Sequence, residues 1–410
     1  MSTHNKNKIL NDPVYGFITI QHELTFDLMD HPFVQRLRRI SQLGLSHLVY
    51  PGAVHNRFHH AIGALHLMQE AIAVLRAKGT DISDQEGEAV CAAILLHDIG
   101  HGPFSHALEH SIVKGVRHED ISALIMSRLN EELNGALDTA IAIFNDHHPK
   151  RFLHQLVSSQ LDMDRMDYLA RDSFYSGVAE GKIGSERIIK MLAVKDDRLV
   201  VEEKGIYSIE KFLMARRLMY WQVYLHRTVL CAEFMLMRVL KRAKALALSE
   251  VDVFTTPALS IFINESLDRA KFIADPEILN RFCELDDSDI TCALKVWQHH
   301  DDPILSELSK RIVHRNLFQI ELRSQPFSNN EVETTIQDVA KGLGLSQEDA
   351  AQFVINDTIH NSLYSEEGIG IQFKNGTVQD FAEASDQLNR EILTRTVSKS
   401  FLCYPKELAR

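Results

Sequence analysis

Apolar residues recur at three- and four-residue steps through Leu65, Met68, Ile72 and Leu75. That spacing predicts an amphipathic helix, and Gly79 supplies a stop just beyond it. Ser83-Asp84-Gln85-Glu86 has the capping-box pattern and opens a second helix. The second helix carries the apolar run Ala89 to Leu96 with almost no polar face. It is expected to be buried on all sides and to deliver His97-Asp98 into the interior. Val14 to Ile20, after Asp12-Pro13, alternates around Gly16 and predicts a short strand. If Ser158 or Ser159 caps a third helix, Leu161, Asp164, Arg165, Tyr168 and Asp172 share one face. Met163, Met166, Leu169 and Ala170 then mark an adjoining packed face. The last segment reads differently. Gly368 to Phe373, the Asn375-Gly376 turn and Thr377-Val378 predict a hairpin, flanked by helical stretches at Val332–Leu343 and Asp380–Ile392. These patterns predict a mainly α protein. An all-helical core with short N-terminal β elements is expected over residues 1–325, and a small α+β accessory subdomain over 326–410.

The chain has 410 residues, 45% hydrophobic and 24% charged, an ordinary globular mixture. Lys and Arg number 44 against 56 Asp and Glu, a net charge of −12, with no basic block. Extended nucleic acid is therefore not an expected partner. The polar start, Met1 to Lys8, lacks the apolar core of a signal peptide, and no apolar run approaches the roughly 20 residues of a membrane span. Five widely spaced cysteines (Cys91, Cys231, Cys283, Cys292, Cys403) with no CxxC pair suit a reducing compartment. A cytoplasmic protein with no membrane partner is expected. The unusual count is 21 His.

Four stretches concentrate the chemistry: His55 to His60, His97 to His106, His118-Glu119, and Leu161 to Tyr168. An imidazole and a carboxylate leaving a buried helix are costly without a partner, and a shared divalent cation satisfies both. On the third helix a carboxylate, a guanidinium, a phenol and a second carboxylate suit a lined pocket. A solvated face with i,i+4 pairs would give the same stripe. Arg216 and Tyr224, eight apart, fall on nearly the same helix face, where Arg suits phosphate and Tyr offers a flat ring. His55, His59, His147-His148 and His299-His300 read as surface or supporting residues, and His226 as a core histidine.

His60, then His97-Asp98, then Asp164 is similar to the H…HD…D pattern of the HD-superfamily metal-dependent phosphohydrolases. Asp12-Pro13-Val14-Tyr15-Gly16, Gln35 to Ile40, Gln42-Leu43-Gly44, the run His97 to His106, and Asp167 to Asp172 resemble the deoxynucleoside triphosphate triphosphohydrolase branch. The resemblance covers residues 10 to 320 or so; the last ninety match only loosely the accessory subdomain of bacterial relatives. It implies an HD-domain core and one divalent metal ion, Mn, Fe, Ni, Zn or Mg, held by His60, His97, Asp98 and Asp164. It implies that His106, His118, Glu109, His101 and Glu119 lie near the reacting phosphate. Arg57, Arg165 and Arg216 would hold phosphate oxygens. Gln42, Tyr168, Asp172 and Tyr224 would surround the sugar, with Leu43 crowding its 2′ side. The implied activity is hydrolysis of a (deoxy)nucleoside triphosphate to nucleoside and tripolyphosphate, and the implied assembly is a homo-oligomer, a dimer or tetramer.

The chain departs from the family pattern at two places. Glu109 stands where relatives have Asp, and Leu225 where they have a sugar-contacting Gln. The second leaves room for another nucleotide or phosphoester as substrate. A non-catalytic nucleotide-binding regulator is the further alternative, although every expected ligand is present.

Overall fold

The computed structural model describes residues 8–104, 115–361, 364, 367–388, 391 and 396–408. Strands β1 (Lys8–Asp12) and β2 (Gly16–Ile20) pair antiparallel, with Asp12 opposite Gly16. Asp12 Oδ1 accepts the amides of Val14 and Tyr15, each at 2.9 Å, which closes the turn. The expected strand is thus one arm of a hairpin.

Helix α1 (Glu23–Asp30) leads to the central pair, α2 (Arg57–Ala77) and α3 (Asp84–Leu96). Asn56 caps α2 by accepting the His59 amide at 3.1 Å, while His59 Nδ1 accepts the Asn56 amide at 3.2 Å. The Ser83/Glu86 capping box opens α3 as its pattern predicts, and Gly79 ends the preceding turn at φ +84°. Every residue from Ala89 to Leu96 is buried, so the polar face missing from the sequence has no solvent to meet. α4 (His118–Glu132) and α5 (Met163–Ser176) complete the wall around the end of α3.

One expectation about these helices fails. The cap of α5 is Asp162, not Ser158 or Ser159. Its carboxylate accepts the amides of Arg165 and Ser159, both at 2.7 Å, which a serine hydroxyl does not do at once. Leu161 therefore precedes the helix, although it is buried. Arg216 and Tyr224 do not share one continuous α-helix. Helix α6 (Ile206–Met219) runs into a π-helical turn, Tyr220–Tyr224, where the Leu225 amide reaches back to the Tyr220 carbonyl at 2.7 Å. The residue added to this turn brings the eight-residue spacing closer to two whole turns, and both side chains lie beside the Tyr220 ring, Arg216 at 6.0 Å and Tyr224 at 5.3 Å, before α7 (Arg227–Leu248) begins.

Between α5 and α6 lie strands β3 (Leu192–Lys195) and β4 (Arg198–Glu202). Further helices follow α7 from Pro257 to Val313. After them come β5 (Gln319–Arg323), α8 (Asn329–Leu343), β6 (Ile355–Asn361), β7 (Gly370–Gln372), β8 (Val378–Asp380) and β9 (Val397–Tyr404). The expected β7–β8 hairpin is present, with Gly376 at φ +83° in its turn. Of the helix expected over Asp380–Ile392, the described residues form one turn at Phe381–Ala384, capped by Asp380 and followed by the extended Ser385, and Glu391 is again helical. Both C-terminal sheets recruit strands from before residue 326: β7 pairs parallel with β4, and β9 lies between β5 and β6. The fold is mainly α, with a few small sheets.

Several of the 21 histidines are explained by backbone capping. His31, His148, His226 and His300 each accept, through Nδ1, the amide two residues ahead at 2.9–3.2 Å. They act as an Asn or Asp does in the same turn. Among the described residues no helix is long and apolar enough to cross a membrane.

Candidate active site

α3 ends at Leu96, and the chain turns away through His97-Asp98-Ile99-Gly100-His101. The turn is held from two sides. Buried Arg36, its guanidinium over the Phe282 ring at 4.8 Å, donates to the carbonyls of Ile99 (3.3 Å), His101 (2.8 Å) and Leu285 (2.9 Å). On the other side buried Ser122 of α4 donates to the His97 carbonyl at 2.8 Å and accepts the Gly100 amide at 2.9 Å. A Cβ on Gly100 would lie 2.2 Å from the His118 carbonyl oxygen, so only glycine lets α4 approach this closely.

The two imidazoles at the centre are fixed in orientation. His97 Nδ1 is 2.7 Å from the Ile94 carbonyl, to which only an N–H can donate, so Nε2 faces the site. His60 Nδ1 is 2.7 Å from Asp167 Oδ2, which turns its Nε2 the same way. The two Nε2 atoms stand 3.4 Å apart. Asp164 Oδ1 lies 3.1 Å from His60 Nε2 and 3.4 Å from His97 Nε2. Asp98 contributes Oδ1 at 3.4 Å from His97 Nε2 and Oδ2 at 3.8 Å from His60 Nε2. With Nδ1 as donor in each ring, two lone pairs and two carboxylates converge on one point. A positive charge between them relieves that repulsion.

The titration behaviour carries the same imprint. Burial opposes charge on His60, yet hydrogen bonds to Asp164 and Asp167 raise it to about 10. His97 is raised against its burial by Asp98 and Asp164. Asp98 and Asp164 are held low despite burial, Asp98 by His97, His101 and Arg57, and Asp164 by His60 and His97. Two imidazoles and two carboxylates fit a divalent first-row cation or Mg, with oxygen positions left over, since the Asp98 and Asp164 side chains retain 13% and 27% exposure. Asp98, His101 and His118 also bring ligand atoms within 4.8 Å of one another. The His101 and His118 rings stack at 3.8 Å and 17°, and burial together with Arg57 lowers His101 to about 3.

The residues expected to hold phosphate and sugar have these surroundings. Arg57 Nη1 is 2.6 Å from Asp98 Oδ2. Arg165 donates through Nε to the Ser159 carbonyl at 2.6 Å and lies 3.2 Å from Asp162 Oδ2. Arg216 reaches Gln160 at 3.4 Å and lies 6.0 Å from the Tyr220 ring. Tyr168 is raised by burial, against the pull of the nearby Arg216 and Arg165 cations. Its ring meets Tyr224 edge-on at 6.0 Å, and the Tyr224 hydroxyl donates to Asp172 Oδ2 at 2.8 Å. The Gln42 amide donates to the His55 carbonyl at 3.0 Å, and Leu43 packs partly buried on the core beside it. Glu119 is more exposed, 3.6 Å from His118 Nδ1. His106 and Glu109 lie outside the described residues.

Sequence reasoning missed a buried ionic chain behind the centre. Arg171 donates to both oxygens of Asp167 at 3.0 Å and to Asp12 Oδ2 at 2.7 Å, so β1 is tied to His60 through α5. The available signal was Asp167 and Arg171, four apart on the side of Met163 and Met166. Gly63 of α2 faces this pair: a Cβ there would lie 2.0 Å from Asp167 Oδ1.

An HD domain model matches residues 57–172, and an HD associated region model matches residues 183–274. The chain is 36% identical to the uncharacterized protein YwfO of Bacillus subtilis, over 77% of this chain and 72% of that protein. It is 29% identical to the deoxynucleoside triphosphate triphosphohydrolase SAMHD1 homolog of Dictyostelium discoideum, over 78% of this chain and 60% of that protein. The crystal structure of a phosphohydrolase from Bacteroides thetaiotaomicron superposes with a TM-score of 0.95 at 54% identity, covering 97% of this chain and 99% of that one. The chain belongs to the HD-domain phosphohydrolases and resembles their deoxynucleoside triphosphate triphosphohydrolase branch.

Proposed function

We propose that the protein hydrolyses (deoxy)nucleoside triphosphates to nucleoside and tripolyphosphate at this centre. One observation carries the reading. Helix α5 sets Asp164 at the metal-binding cluster and Asp172, with Tyr224, two turns further along. Eight residues of helix span roughly 12 Å, the scale of a sugar and its attached phosphate. The 29% identity to a triphosphohydrolase homolog supports the same substrate class.

His60, His97, Asp98 and Asp164 would hold the divalent ion. When bound, such an ion supplies Lewis acidity and an acidified water. Arg57, Arg165 and Arg216 neutralise the triphosphate, so charge developing in the transition state meets donors already in place. His106 is the candidate general acid to the leaving ribose oxygen, supported by Glu109 or His118. His101, stacked on His118 and kept neutral, donates or accepts one hydrogen bond without adding charge. Oligomer formation is part of the proposal and rests on resemblance alone.

The test is product identification with metal-loaded protein across dNTPs, NTPs, monophosphates and cyclic nucleotides. Release of nucleoside together with tripolyphosphate is the expected result. Turnover of monophosphates or cyclic nucleotides in preference would favour the second reading, to which Leu225 points by packing on the core instead of offering an amide. Activity undiminished in Asp98→Ala would overturn the metal assignment.

A further inference from the structure

The corner Leu285-Asp286-Asp287, which opens the helix Asp287–Trp297, lies beyond both the HD domain and its associated region. Each of its residues grips the segment that leads into α2. The Leu285 carbonyl accepts Arg36 Nε at 2.9 Å, the Asp286 carboxylate pairs with Arg39, and Asp287 Oδ2 accepts the Ser41 amide at 2.8 Å. The last of these contacts ends at the start of α2. Ser41 pairs with Asn56 in an isolated antiparallel bridge. The Gln42 amide closes it on the His55 carbonyl at 3.0 Å, and the Arg57 amide closes it on the Ile40 carbonyl at 2.9 Å. Arg57 itself is buried, with Nη1 2.6 Å from Asp98 Oδ2.

Asp287 also faces the turn that carries the metal-binding residues. Burial pushes its carboxyl up, and the Ser41 hydroxyl and amide, with the Phe104 amide, pull it back. Phe104 follows that turn at φ +48°, a conformation costly for a residue with a Cβ and kept only where the surroundings hold it. A carboxylate suits the place, since it accepts on two oxygens and its bonds are charge-assisted. Such a brace matters for a group that must meet phosphate. A misplacement of about 1 Å, caused far from the chemistry, can cost on the order of 100-fold in rate.

We infer that Asp287 is a positioning residue for the phosphate-holding guanidinium: acting through Ser41 and its pairing with Asn56, it fixes where Arg57 stands beside Asp98. The inference rests on the proposed nucleotide reaction. It adds to that reaction a residue from outside the HD domain that supplies no ligand to the metal cluster.

The experiment is a double-mutant cycle on the full, metal-loaded chain: Asp287→Ala, Arg57→Ala and the two combined, with Asp287→Asn as the conservative variant. Each protein is assayed for dATP hydrolysis, for its dissociation constant with tripolyphosphate by calorimetry, and for bound metal. Asp287→Ala should lower kcat/KM by about tenfold, the worth of one hydrogen bond to a charged group, chiefly through KM and with wild-type metal content. Asp287→Asn returns one acceptor to Ser41 and should recover part of the loss. In the Arg57→Ala background Asp287→Ala should cost less than about twofold, because the group it aims is gone. Equal losses in the two backgrounds, or wild-type kinetics in Asp287→Ala, would overturn the inference and leave the reaction standing. Should Asp287→Ala not fold, Asp287→Asn carries the same cycle. If wild type releases no tripolyphosphate from dATP, the reaction falls instead. The tripolyphosphate dissociation constants then decide the positioning: non-additive losses uphold it, and additive losses or no binding overturn it.

Discussion

His60 Nδ1 lies 2.7 Å from Asp167 Oδ2, and neither side chain has any exposed surface. The carboxylate fixes the imidazole's tautomer and plane, and Arg171 and Asp12 fix the carboxylate in turn. Such outer partners typically set metal affinity by 10- to 100-fold. Asp167→Asn should therefore weaken binding of Mn or Zn by roughly that factor, measured by competition with a chromophoric chelator. Unchanged affinity in a folded variant would show that His60 orients itself.

Arg36 donates to two carbonyls, Ile99 and His101, of the turn that carries His97, Asp98 and His101, and to a third, Leu285, outside it. Arg36→Met removes them from a fully buried position and leaves those acceptors dry. A loss of about 3 kcal/mol in urea unfolding is expected, at about 1–3 kcal/mol per unsatisfied group and some relaxation. Activity should fall further than stability accounts for. A stable variant with normal turnover would argue that Ser122 alone shapes the turn.

Much of the centre was legible because it is local in the chain. His97-Asp98 leaves a helix whose missing polar face announces burial, and the Ser83 box shows where that helix starts. The Asp167–Arg171 pair was not legible in the same way. A buried ion pair and a solvated one have identical i,i+4 spacing, and the difference lies in whether another helix covers them. Here α2 does, at Gly63, a contact about 100 residues away in sequence. The burial of His55 is illegible in sequence for the same reason, since its partner Asp172 is 117 residues distant. The π-turn at Tyr220–Tyr224 was not legible either, because one extra residue per turn leaves no mark on composition.

Glu233 on α7 gives a pH prediction. Burial raises its carboxyl from 4.5 to about 7, so the native state holds a proton that the unfolded chain releases between those values. Stability from this site is highest below pH 4.5 and falls as pH rises to 7. Glu233→Gln cannot ionise and should match wild type near pH 4. It should exceed wild type at pH 8 by on the order of 2 kcal/mol, discounted for the side chain's partial contact with solvent. Urea unfolding at the two pH values checks the sign; a variant less stable at pH 8 would refute it.

Truncation after residue 325 tests whether the C-terminal segment is separable. It would strip β7 from β4 and β9 from β5, and remove Phe401 from the Phe234 ring it meets at 4.9 Å. The shortened chain should aggregate or bind a hydrophobic dye, as exposed strand edges and apolar surface do. Monodisperse protein with a cooperative melt would show an independent core.

The parallel β4–β7 ladder joins Val200 to Gly370, and β5 waits for a partner that ends at Tyr404. During synthesis, residues 57 to 172 leave the ribosome long before these strands exist. Helices with local contacts form in microseconds to milliseconds, whereas pairing across such separations is slow. The sheets that abut the core therefore close only after Gly370 and Tyr404 have both been made. Until then the edges of β4 and β5 are open templates for pairing with another chain.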